Sequence, residues 1–411
     1  MSGPGTPTPG ERATRAVVVG LLGRMTDGAV IVHDGARRHL CGRPVAGERI
    51  PEMEVLAPEL WRAFAAEGVA GLGRAYFSGW WTSGDLDDLT SFLRVLLRNA
   101  DLLERTRAAA SRLASPLRRL QTDAEAAGRE PLARLIDAAQ LTGILDDTLT
   151  GSTALFASAR STLAEAQTAK HDRICRLLRL APADHLLEVG AGLGSFALHA
   201  ARTYGCRVTA TVDTDAEAGI ATTRVKEAGL DDLVTVLRED HRDLTGAFDK
   251  VVAIEALRRR GWREHHDFLE RCATLLAPDG LLALQCVVIA DQRYARARHQ
   301  GDFVTRYVLP GATLPSVTSL LEAATRLGDL RLMSLDDIGQ HRAETLRRWR
   351  HRLVRQQAAL DELAVDDATR RLVEFQLCYE EAACDERRTS AVQCLLARGR
   401  WRPVALSLPG R

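Results

Sequence analysis

The sequence predicts a doubly wound α/β domain with a mainly parallel sheet, preceded by a smaller α+β N-terminal domain. Three observations carry that prediction. Between 185 and 289, apolar stretches alternate with helical stretches of about 10–15 residues, the pattern of consecutive βαβ units. The run Leu186-Leu187 ends in Glu188, then Gly190, Gly192 and Gly194, then the helix-like Ser195–Ala201, which is strand, glycine turn, helix. Residues 16–110 show a different rhythm, with short strands, turn signals and then an amphipathic helix.

Taken in order, Met1 to Glu11 is rich in Pro, Gly and Thr and lacks an apolar h-region. It reads as part of a disordered tail over 1–15 and not as a secretory signal. Val30-Ile31-Val32-His33, the turn Asp34-Gly35 and the return strand Arg38-His39-Leu40-Cys41 form a hairpin pattern. Met53 to Leu56 is a third strand candidate, and Leu60 to Glu67 reads as helix. Gly71 to Trp81 is aromatic and glycine-rich, which predicts a packed turn. Asp85 to Ala110 carries Leu89, Phe92, Leu93, Leu96 and Leu97 at helical spacing, with Asp85 placed to cap it. Residues 111–160 are assigned to a helical linker and covering segment, and 161–411 to the main domain.

In that domain Thr162 to Leu180 is an amphipathic helix, with Leu163, Ala166, Ile174, Leu177 and Leu178 on one side. Strands are predicted at 185–189, 206–212, 233–237, 249–254, 281–289 and near 329–333. Helices are predicted at 195–204, 215–228 and 264–277. Pro278-Asp279-Gly280 reads as a tight turn into the fifth strand. Residues 341–375 read as Arg-rich helix and Cys394–Ala397 as a last strand.

Composition narrows the function classes. With 46% hydrophobic and 27% charged residues, the chain can build sizeable cores and is not of the disordered class. A net charge of +1 gives no general attraction to nucleic acid, and no nucleic-acid partner is expected. No run approaches the roughly 18 apolar residues of a membrane span. The eight cysteines form no C-x-x-C pair and mostly sit in apolar runs, which reads as buried thiols in a reducing, cytoplasmic setting, with no metal site. His265-His266 reads as a solvated helix start.

The glycine stretch carries the chemistry. Its spacing is E-x-G-x-G-x-G, and glycine lets backbone approach a ligand where a Cβ would clash. An acid directly ahead of the turn would repel a pyrophosphate. It suits a cofactor without phosphate and with a positive charge, and S-adenosylmethionine fits. Asp213 ends the second strand, where a carboxylate can accept from both ribose hydroxyls. Thr214 or Asp215 suits the following helix cap better than Asp213 does. Asp240 follows the third strand and is placed to accept from an adenine amino group. Any α/β domain can carry a Gly-rich turn, but these acids with the turn point to a class I methyltransferase, Rossmann-like site.

The sequence also resembles the cyclopropane-fatty-acyl-phospholipid synthases and related lipid C-methyltransferases, over roughly residues 25–400. Gly71-Leu72-Gly73-Arg74-Ala75-Tyr76 with Gly79-Trp80-Trp81 is similar to that family's G-x-G-E-A-Y…G-x-W. Leu163-Ala164-Glu165-Ala166-Gln167 with Lys170 is similar to its L-x-x-A-Q-x-x-K helix. Asp240-His241-Arg242-Asp243, Asp291-Gln292-Arg293-Tyr294 and Leu309-Pro310-Gly311-Ala312-Thr313-Leu314-Pro315-Ser316 match further signatures. The resemblance implies an unsaturated phospholipid or fatty-acyl substrate. It also implies S-adenosylmethionine held by Glu188, Gly190, Gly192, Gly194, Asp213, Asp240, His241 and Ser152. In the family a bicarbonate held by Cys, Glu, His and Tyr removes a proton as a ring closes.

At those positions this chain departs from the pattern. Gly151-Ser152-Thr153-Ala154 places Thr153 where Cys or Ser is expected. Ile254-Glu255-Ala256-Leu257-Arg258 keeps Glu255, but Arg258 replaces the bicarbonate-holding Glu. Gln285 takes the His position and Arg342 the Tyr position. The family's segment that closes over the cofactor is unrecognisable around 133–144. Two guanidiniums either point away from the site or meet an anion there. Three readings follow: a lipid methyltransferase with an altered base site; a methyltransferase for an acidic small molecule clamped by Arg258 and Arg342; or a non-enzymatic relative. The Arg347–Arg352 run is a candidate for peripheral contact with an anionic membrane at its cytoplasmic face.

Overall fold

The computed structural model describes residues 9–105, 143–356 and 365–402. The expected tail over 1–8, most of the 111–160 linker and the 133–142 part of the unrecognisable segment lie outside the described residues. Two compact units are present. The first comprises the described parts of 1–144 and 343–389 together with His299–Gly311, and the second comprises Leu145–Arg298, Ala312–Arg342 and the described part of 390–411. This differs from the contiguous division at 110 and 160, because His299–Gly311 and Ala343–Thr389 are compact with the N-terminal unit.

In the first unit, α1 (Pro9–Leu22) replaces the second half of the expected tail: Val18, Leu21 and Leu22 are buried, and their burial draws the preceding turns into helix. A four-stranded sheet in the order β2-β1-β3-β4 follows, from β1 (Gly28–Asp34), β2 (Arg37–Arg43), β3 (Glu52–Val55) and β4 (Trp81–Ser83). The expected hairpin is present, with Val30 opposite Cys41. Helix α2 (Glu59–Glu67) is followed by α3 (Val69–Phe77), where a packed turn was expected. Glycine misleads there because its role is proximity. A Cβ on Gly71 would lie 2.0 Å from the Ala63 carbonyl oxygen, so the two helices touch backbone to backbone. Helix α4 (Leu86–Arg98) is capped by Asp85, whose carboxylate accepts from the Asp88 N–H at 2.7 Å.

The second unit is built on a seven-stranded sheet in the order β10-β11-β9-β8-β5-β6-β7. Its strands are β5 (His185–Val189), β6 (Arg207–Thr211), β7 (Val234–Leu237), β8 (Phe248–Ile254), β9 (Leu276–Ile289), β10 (Leu330–Asp337) and β11 (Thr389–Arg398). Strands β5 to β9 pair in parallel, while β10 and β11 pair antiparallel at one edge. Pro278-Asp279-Gly280 lies inside β9: Phe248 pairs with Leu276 and Lys250 with Leu281, so the extra residues bulge out of the ladder.

Alternation along each strand makes two cores. Leu187, Val251, Leu282 and Leu284 join one cluster with Phe268, Leu269 and Leu320. Leu186, Val252, Leu281 and Ala283 join the other with Ile174, Leu178, Phe196 and Ala197. Helices therefore cover both faces: α5 (Leu163–Leu178) and α6 (Ser195–Tyr204) on one, α8 (Glu264–Leu275) and α10 (Val317–Arg326) on the other, with α7 (Asp215–Glu227) following β6 and α9 (Asp291–Ala297) following β9. The chain continues in α11 (Gly339–Arg355) and α12 (Asp367–Asp385). Strand order runs outward in both directions from β5 and β8, so the β5 and β8 C-terminal ends form the switch point where such sheets bind ligands. His265, expected to be solvated, is buried on α8.

Replacing Gly71 by Ala forces the two touching helices apart and is expected to cost about 1–3 kcal/mol. Gly20→Ala on α1, where a Cβ meets nothing within 4 Å, is expected to be neutral or stabilising by up to about 1 kcal/mol. Thermal unfolding of the two variants checks the contrast.

Candidate functional site

The glycine turn leaves β5 at its C-terminal end. Gly190, Gly192 and Gly194 have φ of 75°, 55° and 78°, a left-handed path that residues with a Cβ rarely follow. The Ala191 N–H donates to the Thr211 carbonyl at 2.7 Å, which ties the turn to the end of β6. A Cβ at Gly190 would press on Ala256 at 3.1 Å and one at Gly194 on Ala221 at 3.3 Å, whereas at Gly192 it meets nothing within 4 Å. The tip of the turn is therefore open backbone beside room for a ligand, the property a nucleoside cofactor needs.

Asp213 sits just past β6 with its carboxylate half exposed and 3.5 Å from Arg259 Nη1. Thr214, not Asp213, caps α7, in a reciprocal box with Glu217. Asp213 thus keeps a carboxylate for a ligand. Asp240 is more engaged, because Arg242 donates to one of its oxygens at 2.6 and 3.0 Å, which holds its pKa well below the usual carboxylate range. His241 Nδ1 lies 3.0 Å from the other Asp240 oxygen, and burial lowers His241 to about 4, keeping it neutral.

A strap from 145 to 155, with a turn at 147–148, is pinned beside the glycine turn. Ser195 Oγ donates to the Thr148 carbonyl at 2.6 Å, and Arg224 Nη2 to the same oxygen at 2.9 Å. Gln167 donates to the Ser152 carbonyl at 2.8 Å. Lys170 donates from Nζ to Ser152 Oγ at 2.7 Å and is fully buried. Burial pushes Lys170 down to about 7, against the opposing charges of Glu255, Glu188 and Asp146. Burial likewise pushes Glu188 up to about 8, against Lys170 and the Ala197 N–H. Among the described residues, one Glu188 oxygen has no hydrogen-bond partner. The acid ahead of the glycines is therefore answered in part by an internal cation.

The second cluster lies where β8 ends. Glu255 is buried and has φ 57°, a strained left-handed backbone for a residue with a side chain. Its Oε1 accepts from the Thr153 N–H at 2.8 Å and from Gln285 Nε2 at 3.1 Å. Its Oε2 lies 3.5 Å from Nη1 of Arg342, whose side chain is only 2% exposed. Arg342 also donates to Thr153 Oγ1 at 3.2 Å, and Gln285 Oε1 accepts from Gln393 at 2.9 Å. Burial alone would raise the Glu255 pKa, but Arg342, the Thr153 donors and Arg258 outweigh it and hold the pKa below its ordinary value. Thr153, Glu255, Gln285 and Arg342 thus converge on one buried ion pair, with Arg258 in electrostatic range on the short 3₁₀ turn that follows.

Lys170, Gln167 and Gln393 belong to these networks although the sequence reading did not assign them to the site. Lys170 lies at helical spacing from Leu163, Ala166 and Ile174, so a lysine on an apolar face was the available signal. Gln393 interrupts the apolar run Ala391–Ala397 in the same way. Three arginines of the Arg-rich run are paired with acids. Arg347 and Arg350 donate to Glu381 at 3.1 and 3.0 Å, Arg350 also meets Asp87 at 2.7 Å, and Arg348 donates to Glu344 at 2.6 Å. The trio His266, Asp267 and Glu270, whose two acids are exposed, offers atoms within 4.8 Å of one another, but exposed acidic groups of this kind are common without a metal.

Sheet order, glycine turn and the acid past β6 define a class I S-adenosylmethionine-dependent methyltransferase. Tuberculostearic acid methyltransferase UfaA1 of Mycobacterium tuberculosis is 29% identical over 349 residues, covering 82% of this chain and 81% of its own. The cyclopropane-fatty-acyl-phospholipid synthase of Escherichia coli K12 is 27% identical over 289 residues, covering 69% and 72%. The crystal structure of mycolic acid cyclopropane synthase CmaA1 complexed with SAH and CTAB superposes with a TM-score of 0.60 at 22% identity, covering 66% of this chain and 99% of that one, a likeness of fold. The family profile for mycolic acid cyclopropane synthetase matches residues 139–394, and the chain belongs to that family.

Gly192→Val fills the open space at the turn and is expected to weaken S-adenosylhomocysteine binding by at least about tenfold, or 1.4 kcal/mol, read by calorimetry. Arg342→Met strands the Glu255 carboxylate and is expected to cost about 3–5 kcal/mol in denaturant unfolding, most of it recovered when Glu255→Gln is added.

Proposed function

We propose that the chain transfers the methyl group of S-adenosylmethionine to an unsaturated fatty-acyl chain of a lipid, as a cyclopropane-synthase-like enzyme with an altered base site. The observation that carries this reading is the open glycine turn lying one strand away from a buried, donor-lined carboxylate. Relatives over most of the chain are named for fatty-acyl substrates, which supports the substrate class.

The cofactor, when bound, supplies an electrophilic methyl group. Gly190, Gly192 and Gly194 give backbone contact, Asp213 offers a carboxylate to the ribose, and Ser152 is fixed by Lys170 on the strap. Asp240 and His241 are assigned to the adenine end. The chain's own part in the reaction is to orient an alkene in a site from which water is excluded, and to accept the proton that the methylated chain releases. Thr153, Glu255, Gln285, Arg258 and Arg342 are assigned to that second task. Arg342 is engaged by Glu255, which leaves the clamping of an acidic small molecule with less support. No helix among the described residues is long and apolar enough to cross a membrane. Access to a membrane lipid by peripheral contact is therefore part of the proposal, and the arginines paired on α11 are not its basis.

The test is calorimetric titration with S-adenosylmethionine, followed by incubation with vesicles of unsaturated phospholipid and mass analysis of the acyl chains. The expected result is saturable binding and acyl chains heavier by one CH2 group. Absence of cofactor binding overturns the reading.

A further inference from the structure

Three of the four positions that the family resemblance assigns to a free bicarbonate, Thr153, Gln285 and Arg342, are engaged in this chain by a carboxylate of its own. Glu255 receives the Thr153 N–H at 2.8 Å and Gln285 Nε2 at 3.1 Å, and it faces Arg342 Nη1 at 3.5 Å. Its side chain is only 6% exposed. The arrangement is also over-determined. The Gln285 amide donates to the Thr153 carbonyl at 3.0 Å, and the Glu255 N–H donates to the Gln285 carbonyl at 2.7 Å. Such fixing is what holds Glu255 at φ 57°, where a glycine would sit without strain. A separate bicarbonate does not fit this donor set, because its partners already hold an anion.

We infer that Glu255 is a built-in replacement for an external carboxylate, and that it is the catalytic residue accepting the proton in a bicarbonate-independent reaction. The inference rests on the methyl-transfer reading above. Position supports it: Ala256, the next residue, lies against the glycine turn, 3.1 Å from where a Gly190 Cβ would be. The carboxylate therefore stands on the strand end beside the cofactor loop. In the step assigned to it, a C–H bond of the methylated, cationic acyl chain breaks. The proton goes to a Glu255 oxygen, and the electron pair left behind closes a new carbon–carbon bond or restores a double bond. A carboxylate made weakly basic by Arg342 suffices, since a proton beside a carbocation is far more acidic than a carboxylic acid. Arg342 and Gln285 are positioning residues that hold the carboxylate ionised and aimed.

The experiment compares the full chain with Glu255→Gln and Glu255→Gly. Glycine suits the left-handed backbone and empties the donor set but leaves the buried Arg342 without its anion, so E255G is expected to unfold at a lower temperature than the unsubstituted protein and to bind ¹³C-formate, which restores the pair. Binding is read by NMR and by a rise in unfolding temperature with formate, and the unsubstituted protein should show neither. In buffer freed of carbon dioxide, the unsubstituted protein should turn over as fast as with added bicarbonate. E255Q should be slowed at least about 100-fold with S-adenosylhomocysteine binding intact. E255G should be slow alone and recover with formate or bicarbonate. Bicarbonate-dependent turnover by the unsubstituted protein overturns the inference. So does an E255Q variant as fast as the unsubstituted protein, or an E255G that binds no formate. If the unsubstituted protein modifies no unsaturated lipid, the functional reading fails, and the formate measurement alone then decides whether these donors take a carboxylate.

Discussion

A buried ion pair, Glu255 with Arg342, is the constraint on which the site depends. Both charges are withdrawn from water, and burying either one alone would cost several kcal/mol. The two charges face each other, the Thr153 N–H and Gln285 Nε2 donate to Glu255, and Thr153 Oγ1 accepts from Arg342. Once the guanidinium is placed, its partner must be an anion, and the chain supplies one. That requirement links three distant stretches of sequence: the strap at 153, the end of β8 at 255 and the start of α11 at 342.

The sheet explains why the pair lies where chemistry is useful. Strand order runs away from β5 and β8 in opposite directions, so their C-terminal ends are not covered by a crossover between them. One end carries the glycine turn and the other carries Glu255. The strap then brings Ser152 and Thr153 to the two ends, Ser152 held by Lys170 and Thr153 held by Glu255. In the proposed reaction these adjacent residues flank the cofactor and the proton acceptor, and the polar side chains of Gln167, Lys170 and Gln285 fix the spacing between them.

Much of this was legible in the sequence, for physical reasons. Strands β5 to β8 alternate apolar residues between two faces, and their boundaries fall within a residue or two of the reading. The glycine turn was legible because residues with a Cβ rarely follow that backbone path. Three elements were not. Helix α3 was hidden because Gly71 and Gly73 serve close helix packing, which looks like turn chemistry on paper. Pro278-Asp279-Gly280 was read as a turn although a bulge lets β9 carry it. Helix α1 was missed because its apolar residues lie behind a Pro- and Gly-rich beginning. Thr153, Glu255, Gln285 and Arg342, named from separate stretches of sequence, lie in contact, yet how they contact one another was not legible. Sequence shows that arginines replace a Glu and a Tyr, but only side-chain direction shows that Arg342 turns inward to a carboxylate.

The most direct test of this account is a crystal structure of the full chain with S-adenosylhomocysteine, grown in the presence of bicarbonate. The account predicts the ligand on the glycine turn and the Glu255 carboxylate still held by the Thr153 N–H, Gln285 and Arg342, with no separate anion among them. A bicarbonate seated on Thr153, Gln285 and Arg342, with Glu255 turned away, would contradict it.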